Sequence, residues 1–323
     1  MSVSAVLDVQ DLHVSFQVDK RTVPVVRGLS YTLPKGKVLA VVGESGSGKS
    51  VHALSLLKLL PSTARVTQGR VLLNSKDIFS LSNVQLRALR GQEISMIFQD
   101  PAASLNPVLT IGEQLIETLR AHQHLSRQEA RKQAVALLSQ VGIAQAEKRL
   151  DEYPFQFSGG MCQRVMIAMA LALRPAVLIA DEPTTALDVT IQAQILRLIK
   201  NLQQERGTSV IFITHNLALA SEIADEVLVL YAGLCMEQAP AKELFSRPLH
   251  PYTQGLLASL PSVQHPVDKL PAIAGYPPIA GENLQGCPFA PRCPYAMEKC
   301  RQELPALTQK GARRVRCWRE ETL

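Results

Sequence analysis

The chain has 323 residues, 46% of them hydrophobic, which is enough for a complete α/β core and one further domain. No apolar run approaches the roughly 20 residues that a membrane span needs, and no basic-then-apolar signal pattern opens the chain, so we expect a soluble, cytoplasmic protein. The formal net charge is +6 with a pI near 9.0, but residues 287–323 hold eight Arg and Lys against four Glu, so most of the excess charge belongs to the tail and does not form one broad basic patch.

An antiparallel β layer is predicted for about the first 35 residues. Val6 to Phe16 alternates loosely between apolar and polar residues, as a strand does, and Asp19 to Arg21 is a polar hairpin connection. Pro34 to Lys37 is a turn that leads into the next strand. Phe16, near the end of the first strand, is either an ordinary core side chain or an aromatic platform on which a nucleobase stacks.

The central motif of the chain is a glycine-rich loop between a predicted strand and a predicted helix. Val38 to Val42 is a short apolar run that indicates a buried strand, and His52 to Leu60 lacks Gly and Pro and is predicted as a helix. Glycines let backbone N–H groups surround an anion, and in this G-x-x-x-x-G-K-[ST] pattern the lysine reaches the β- and γ-phosphates while the last hydroxyl binds Mg²⁺. We therefore predict that the chain binds a nucleoside triphosphate. The residues of this phosphate loop are Gly43, Glu44, Ser45, Gly46, Ser47, Gly48, Lys49 and Ser50.

Two further strands and a helical insertion follow. Arg70 to Leu73 and Ile94 to Phe98 are predicted strands, and Gln99 comes just past the second, at the end where α/β folds place ligand contacts. From about 107 to 157 only helices are predicted, one of them opened by a capping box from Ser126 to Glu129. An insertion of this kind could carry partner contacts.

A Ser-Gly-Gly sequence opens the next helix, which is rich in Met, Ala and Leu. Its residues are Ser158, Gly159 and Gly160. A hydroxyl and free N–H groups at the positive end of a helix form an anion site. Ser-Gly-Gly also occurs in plain loops, so its value here comes from sharing a chain with the phosphate loop.

A pair of acids and a histidine end the next two predicted strands. The buried apolar run 176–180 is followed by Asp181 and Glu182. Because a buried carboxylate is costly without a cation, Asp181 is predicted to hold Mg²⁺ and Glu182 to polarise the attacking water as the general base. His215 follows the strand at 209–213, where contact with a γ-phosphate is favoured over a purely structural role.

These motifs, in this order and together with Leu187–Asp188, resemble the ATPase subunit of an ABC transporter. The resemblance spans about Val6 to Tyr231. It implies a head-to-tail dimer in which each ATP lies between one subunit's phosphate loop and the other's Ser-Gly-Gly sequence.

The resemblance also implies residue roles. Phe16 is implied to stack on adenine, Asp188 to belong to the nucleotide-binding set, and Gln99 to sense the γ-phosphate and the metal. His215 is implied to be the switch. Phe157 to Met161 departs from the family's Leu-Ser-Gly-Gly-Gln, but the Ser and both Gly are kept, so we expect an active site with altered packing.

Four of the six cysteines lie in a proline-rich C-terminal extension. Clustered cysteines in a cytosolic chain favour metal binding over disulfides, and their spacing alone leaves Zn²⁺ and a [4Fe-4S] cluster both open. The tail has few large apolar residues, so we expect it to need a metal to become ordered. With the spacing C-x5-C-x6-C-x16-C, the four are Cys287, Cys293, Cys300 and Cys317.

The tail resembles that of the ATPases of dipeptide, oligopeptide and nickel importers, on the segments His250 to Thr253 and Gly286 to Cys300. The resemblance then covers nearly the whole chain, and some members of that group bind a [4Fe-4S] cluster. It implies a second, related ATPase subunit as partner, two membrane permeases, and an extracytoplasmic solute-binding protein reached indirectly. It places the chain at the cytoplasmic face of the inner membrane.

We therefore predict an α/β fold with a P-loop NTPase core of ABC type, an antiparallel β layer, an inserted helical subdomain and a cysteine-containing extension. The predicted boundaries are 1–240 for the ATPase domain, about 107–174 for the helical subdomain and 241–323 for the extension. The predicted function is ATP hydrolysis that drives uptake of di- or oligopeptides, with nickel or another small solute as the alternative. A soluble ABC ATPase of translation or DNA repair is disfavoured by the single phosphate loop and the lack of heptads, and no nucleic-acid partner is predicted.

Overall fold

The computed structural model describes residues 5–185, 187–260, 271–279, 281–282 and 285–319. They fall into two compact units, each built from separate stretches of sequence. The first unit comprises Met1–Val6, Pro34–Lys37 and Ser80–Ile211, and the second comprises Leu7–Leu33, Val38–Phe79 and Phe212–Leu323.

Strands and helices alternate along much of the chain, as in an α/β fold. The strands of the described ranges are β1 (Ala5–Val18), β2 (Arg21–Pro34), β3 (Val38–Val42), β4 (Ala64–Leu73), β5 (Lys76–Asp77), β6 (Ile94–Ile97), β7 (Val177–Asp181), β8 (Ser209–Thr214), β9 (Glu226–Tyr231), β10 (Leu234–Pro240), β11 (Thr308–Lys310) and β12 (Arg313–Val315). The α-helices are α1 (Lys49–Leu56), α2 (Asn83–Leu89), α3 (Pro101–Ser104), α4 (Ile111–Arg120), α5 (Arg127–Gln140), α6 (Ala146–Arg149), α7 (Gly159–Leu171), α8 (Val189–Arg206), α9 (Leu217–Ile223), α10 (Ala241–Ser246), α11 (Pro251–Ala258) and α12 (Glu298–Gln302). Short 3-10 turns lie at Ile78–Ser80, Pro154–Gln156 and Ala290–Arg292.

The predicted antiparallel layer forms most of one sheet of the second unit. Its strand order is β2-β1-β4-β5, and β1 pairs antiparallel with β4, with Phe16 opposite Ala64. Asp19 and Lys20 join β1 to β2 with φ values of 47° and 65°, the left-handed conformation of a tight hairpin turn. This part of the fold prediction is confirmed.

The second unit also contains the strand that leads into the phosphate loop. β3 is buried at every position and runs parallel to β9, with Val41 opposite Leu228. From β3 outwards the strand order is β3-β9-β10-β12-β11. β12, from the C-terminal extension, pairs antiparallel with β10, with Val315 opposite Glu237.

An aromatic cluster packs the C-terminal extension against β9. The rings of Tyr231 and Tyr252 are 4.6 Å apart, and the ring of Phe289 lies 5.5 Å from the first and 5.2 Å from the second. All three side chains are buried in one apolar cluster, which Cys287 and Ala290 also join. The tail therefore packs into the apolar core around β9, while the expectation that it needs a metal to become ordered stays a prediction.

The first unit carries the helical insertion. β6 runs parallel to β7, with Ile97 opposite Ala180. Helices α4 and α5 both begin with a capping box, and the predicted one at Ser126 is confirmed: Ser126 N donates to Glu129 Oε2 at 2.8 Å and Glu129 N to Ser126 Oγ at 3.2 Å. Hydrogen bonds from the Ser126 hydroxyl and backbone hold the pKa of Glu129 below its ordinary value.

Helix boundaries differ from the sequence pattern by a few residues. α1 begins at Lys49, three residues before the predicted start, and ends at Leu56 because Lys58 adopts a left-handed φ of 50° that a helix cannot contain. α8 stops at Gly207, whose φ is 66°. Within the described ranges, no helix combines the length and the apolar composition required to cross a membrane.

Candidate nucleotide-binding site

The phosphate loop turns sharply between β3 and α1 in the second unit. A Cβ on Gly43 would lie 2.2 Å from the Leu230 carbonyl oxygen, closer than any side chain allows. Gly48 caps α1 with a φ of 100°, and a Cβ there would lie 2.9 Å from the Val25 carbonyl oxygen. Gly46, by contrast, has no atom within 4 Å of such a Cβ. The glycines therefore let the loop pass close to neighbouring backbone on one side while leaving open space at Gly46.

Lys49 and Ser47 supply polar groups to this loop. Lys49 is 5% exposed, and its ammonium donates to the carbonyl oxygens of Gly43 and Glu44 at 2.9 Å each. The buried Ser47 hydroxyl has no hydrogen-bond partner among the described residues. A buried hydroxyl without a partner is costly, and a phosphate oxygen would satisfy it. The loop therefore fits a phosphate group, and Ser50, the second residue of α1, is placed to offer the hydroxyl predicted for Mg²⁺.

The predicted acid pair ends β7 in the first unit. Asp181 is 3% exposed and is the last residue of the strand. Glu182 follows with a left-handed φ of 46°, a strained conformation for a residue with a side chain. Its carboxylate Oε2 accepts a hydrogen bond from Thr185 Oγ1 at 2.8 Å and from Gln99 Nε2 at 3.3 Å. The parallel pairing of β6 with β7 thus brings Gln99 and Glu182 together at one edge of the sheet.

The Ser-Gly-Gly sequence lies beside a cavity of about 550 Å³ in the first unit. Ser158 is the N-cap of the 13-residue helix α7, and its hydroxyl accepts a hydrogen bond from Met161 N at 3.4 Å. Gly159 has open space where a Cβ would stand, while a Cβ on Gly160 would lie 3.4 Å from Ile191 Cγ2. The cavity is lined by these residues together with Arg149, Arg164, Leu187 and Asp188. A helix N-terminus and arginines around one cavity suit an anion.

Asp188, predicted to belong to the nucleotide-binding set, also has a structural role. It is the N-cap of α8, and its Oδ1 accepts a hydrogen bond from Ile191 N at 2.9 Å. An Asp directly before the first residue of a helix is a common capping signal, so this role was available from the sequence. The carboxylate also lines the cavity described above, where its nucleotide role stays a prediction.

His215 and Phe16 both belong to the second unit. His215 follows β8 and is exposed, and Phe16 lies half-buried near the end of β1. Their predicted contacts with phosphate and adenine stay predictions.

Sequence reasoning missed two side chains that contact the phosphate loop from the C-terminal extension. Tyr252 accepts a hydrogen bond from Glu44 N at 2.9 Å, and Arg292 forms a two-pronged ion pair with the Glu44 carboxylate at 2.6 and 3.0 Å. Both belong to segments that carry the importer resemblance. That resemblance marked the two segments as important, but nothing in the sequence connected Tyr252 or Arg292 with the phosphate loop.

The four cysteines of the extension gather without forming a metal site. Burial, and then the other three thiols, raises the pKa of Cys287 to about 11, and Cys287 N donates to the Cys300 carbonyl at 2.7 Å. All four are free thiols. Throughout the described residues, no three His, Cys, Asp or Glu side chains are arranged to hold a metal ion. The thiols as they stand do not form a metal site, so the predicted [4Fe-4S] cluster and its zinc alternative stay predictions.

Comparison with known proteins identifies two family regions. The family described as "ABC transporter" matches residues 26–185, and that described as "Oligopeptide/dipeptide transporter, C-terminal region" matches residues 236–300. The oligopeptide transport ATP-binding protein AppD of Bacillus subtilis is 50% identical over 317 residues, which cover 98% of this chain and 97% of that protein. The dipeptide transport ATP-binding protein DppD of Haemophilus influenzae is 47% identical, covering 97% of this chain and 95% of its own.

Solved structures agree with the fold. The dimeric structure of the ATP-binding cassette MJ0796 bound to ADP and Pi superposes with a TM-score of 0.67 at 26% identity, covering 73% of this chain and 98% of that one. CbiO1 from Clostridium perfringens, part of the ABC transporter complex cbiONQ, gives a TM-score of 0.63 at 29% identity, covering 75% and 91%. From the phosphate loop, the acid pair and these matches, we conclude that the chain belongs to the ABC transporter family of ATP-binding proteins, in its oligopeptide and dipeptide branch.

Proposed function

We propose that this chain is the ATP-hydrolysing subunit of an importer for di- or oligopeptides. The observation that carries the transport assignment is the near-full-length identity of about half to ATP-binding proteins named for oligopeptide and dipeptide transport. The observation that carries ATP binding is the phosphate loop, with the buried Lys49 ammonium and the unsatisfied Ser47 hydroxyl. Import of nickel or another small solute is the alternative, because the solute would contact the permeases and not this subunit.

In this proposal, each step of ATP hydrolysis is assigned to particular side chains. Lys49 would offset charge on the β- and γ-phosphates, and Glu182 would take a proton from the attacking water as the oxygen bonds to the γ-phosphorus and the bond to ADP breaks. Thr185 and Gln99 hold the Glu182 carboxylate and so orient it. Ser50, Gln99 and Asp181 would hold Mg²⁺, which supplies charge stabilisation for the phosphoryl group when bound. His215 would contact the γ-phosphate as the switch.

The decisive experiment replaces the general base. In the assembled transporter, Glu182→Gln should keep ATP binding but lower ATP turnover by at least about 100-fold, the effect of a lost general base. Glu147→Gln, which removes an exposed carboxylate from the same unit, is the matched control and should keep full turnover. Near-normal hydrolysis by Glu182→Gln would overturn the assignment of the base. Uptake of a labelled dipeptide and of nickel by the same complex separates the two solute classes.

The functional partner would be a second, related ATPase subunit beneath two permeases at the cytoplasmic face of the membrane. The Ser158–Gly160 cavity supports this, since it offers a second anion site besides the phosphate loop of the same chain. An extracytoplasmic solute-binding protein would be reached through the permeases. Ser158→Arg should abolish hydrolysis at the partner's phosphate loop while nucleotide still binds at Lys49. Full-rate hydrolysis by the isolated monomer would rule out composite sites.

We further infer that Cys287, Cys293, Cys300 and Cys317 serve as a ligand set for a [4Fe-4S] cluster, with Zn²⁺ as the alternative. The support is their mutual proximity: each of Cys287, Cys293 and Cys317 has its thiol pKa raised, first by burial and then by neighbouring cysteines of this set. Anaerobically purified protein should contain about four irons per chain and be brown. One zinc in colourless protein would replace the cluster with zinc, and metal-free protein would exclude both.

A further inference from the structure

Glu44 is an unusual residue for a loop that receives phosphate, because its carboxylate adds negative charge where a polyanion would bind. Every polar group of this residue is engaged. Its N–H donates to Tyr252 Oη at 2.9 Å, and its carbonyl accepts from Lys49 Nζ at 2.9 Å. Its carboxylate accepts hydrogen bonds from both terminal nitrogens of Arg292. Two of these three contacts come from the C-terminal extension, so that extension determines how Glu44 is held.

Several contacts besides the ion pair with Glu44 hold the Arg292 side chain in place. The side chain is 5% exposed, and Nε donates to the Ala274 carbonyl at 3.0 Å while Nη1 lies 3.2 Å from Tyr231 Oη. Its guanidinium also lies over the rings of Tyr231 and Phe289, 5.8 and 6.0 Å from their centres. Hydrogen bonding to Glu44 raises the pKa of Arg292, so the side chain stays charged. A buried arginine held this firmly presents a fixed fork to one carboxylate.

The pair has a direct electrostatic consequence for the loop. A lone Glu44 carboxylate would repel the phosphates that Lys49 attracts, and repulsion between charges a few ångströms apart is strong where water is partly excluded. Arg292 offsets that charge through its two contacts with the carboxylate. Tyr252 fixes the backbone of the same residue.

We propose that Arg292 is a positioning residue for the phosphate loop, acting through Glu44, so that the C-terminal extension is part of the nucleotide-binding apparatus. The inference rests on the proposed ATP-binding function and adds to it a role for residues outside the ATPase motifs. It explains a bidentate, largely buried ion pair between segments 248 residues apart in sequence. An ion pair that served folding alone would not need to end on the phosphate loop.

A double-mutant cycle tests the proposal. Binding of a non-hydrolysable ATP analogue with Mg²⁺ is measured by calorimetry on the purified full-length chain. Arg292→Met should weaken binding about tenfold, which corresponds to about 1.4 kcal/mol, because it releases the Glu44 charge beside the phosphates. In a Glu44→Gln background, where the charge is absent, adding Arg292→Met should weaken binding much less than it does in wild type. In the assembled transporter, Arg292→Met should raise the KM for ATP about tenfold and leave kcat nearly unchanged.

Controls separate positioning from folding. Arg313→Met breaks a buried ion pair of the same extension, with Glu237 at 2.8 Å, and should lower stability without weakening the nucleotide affinity of the folded protein. Arg292→Lys, which keeps the charge but loses the fork, should fold and bind with an intermediate affinity, and so provides a readout if Arg292→Met does not fold. Unchanged affinity in Arg292→Met or Arg292→Lys, or an equal loss from Arg292→Met in the wild-type and Glu44→Gln backgrounds, would overturn the inference. A wild-type chain that bound no nucleotide would instead overturn the proposed function.

Discussion

His250 makes the second unit sensitive to acid. The imidazole is buried, its Nδ1 accepts a hydrogen bond from Tyr252 N at 2.9 Å as the N-cap of α11, and the ring also hydrogen-bonds to the backbone of Arg316. Burial lowers the pKa of His250 from 6.5 to about 3, with the Arg316 hydrogen bond opposing and the Arg316 charge assisting that shift. A proton on Nδ1 would face the Tyr252 N–H and remove the cap.

The sign and size of the effect follow from the two pKa values. The unfolded chain takes up this proton near pH 6.5, whereas the folded chain does so only near pH 3. The stabilisation is therefore complete above pH 6.5 and is lost progressively as the pH falls from 6.5 towards 3. At about pH 5.5 the folded state has lost about 1.4 kcal/mol relative to neutral pH through this residue alone.

His250→Asn removes the titration but keeps a side chain that can cap a helix. Between about pH 7.5 and about pH 5.5, the free energy of urea unfolding should fall by about 1.4 kcal/mol more in wild type than in His250→Asn. His52, whose pKa burial lowers to about 4, is common to both proteins and cancels in the comparison. The control variant His124→Asn, at an exposed position, should keep the wild-type fall. Equal pH dependence in wild type and His250→Asn would refute the reasoning.

Three further substitutions test packing, capping and the loop. Phe289→Ala should lower the free energy of unfolding by about 3 to 5 kcal/mol, as measured in urea, because the ring is buried among Tyr231 and Tyr252; a loss below about 1 kcal/mol would contradict that packing. Ser126→Ala should cost about 1 kcal/mol through loss of the α5 cap, and unchanged thermal stability would show that the cap contributes nothing. Gly43→Ala should lower stability by about 3 kcal/mol and abolish ATP binding in a calorimetric titration, since its Cβ meets a carbonyl oxygen at 2.2 Å, and normal affinity would be incompatible with this loop geometry.

Local signals account for what the sequence predicted correctly. The phosphate loop, the buried strand before it and the capping box at Ser126 each depend on residues within a few positions of one another. The meeting of Gln99 with Glu182 is longer in range, but it follows from a rule: parallel strands end at one edge of a sheet. Patterns of this kind can be predicted from the sequence because one physical cause acts between residues at a short, fixed spacing.

Contacts without a repeating pattern could not be predicted. Nothing in the sequence connects Arg292 to Glu44, since an ion pair leaves no periodicity and the two residues lie in differently composed segments. The packing of the tail could likewise not be predicted, because composition counts large apolar residues but does not show that Tyr252 and Phe289 share one site. For the cysteines, spacing alone left Zn²⁺ and a [4Fe-4S] cluster both open and did not show how the thiols are arranged in space.

The large sequence separation of Glu44 and Arg292 also determines when this ion pair can form during synthesis. The loop residue leaves the ribosome 248 residues before its partner, which at about 5 to 20 residues per second is a delay of roughly 12 to 50 s. β10 likewise emerges before β12, its antiparallel neighbour from the C-terminal extension. The nascent chain therefore emerges with an open strand edge and an untethered phosphate loop. Both are completed only after the corresponding segments of the C-terminal extension have been made.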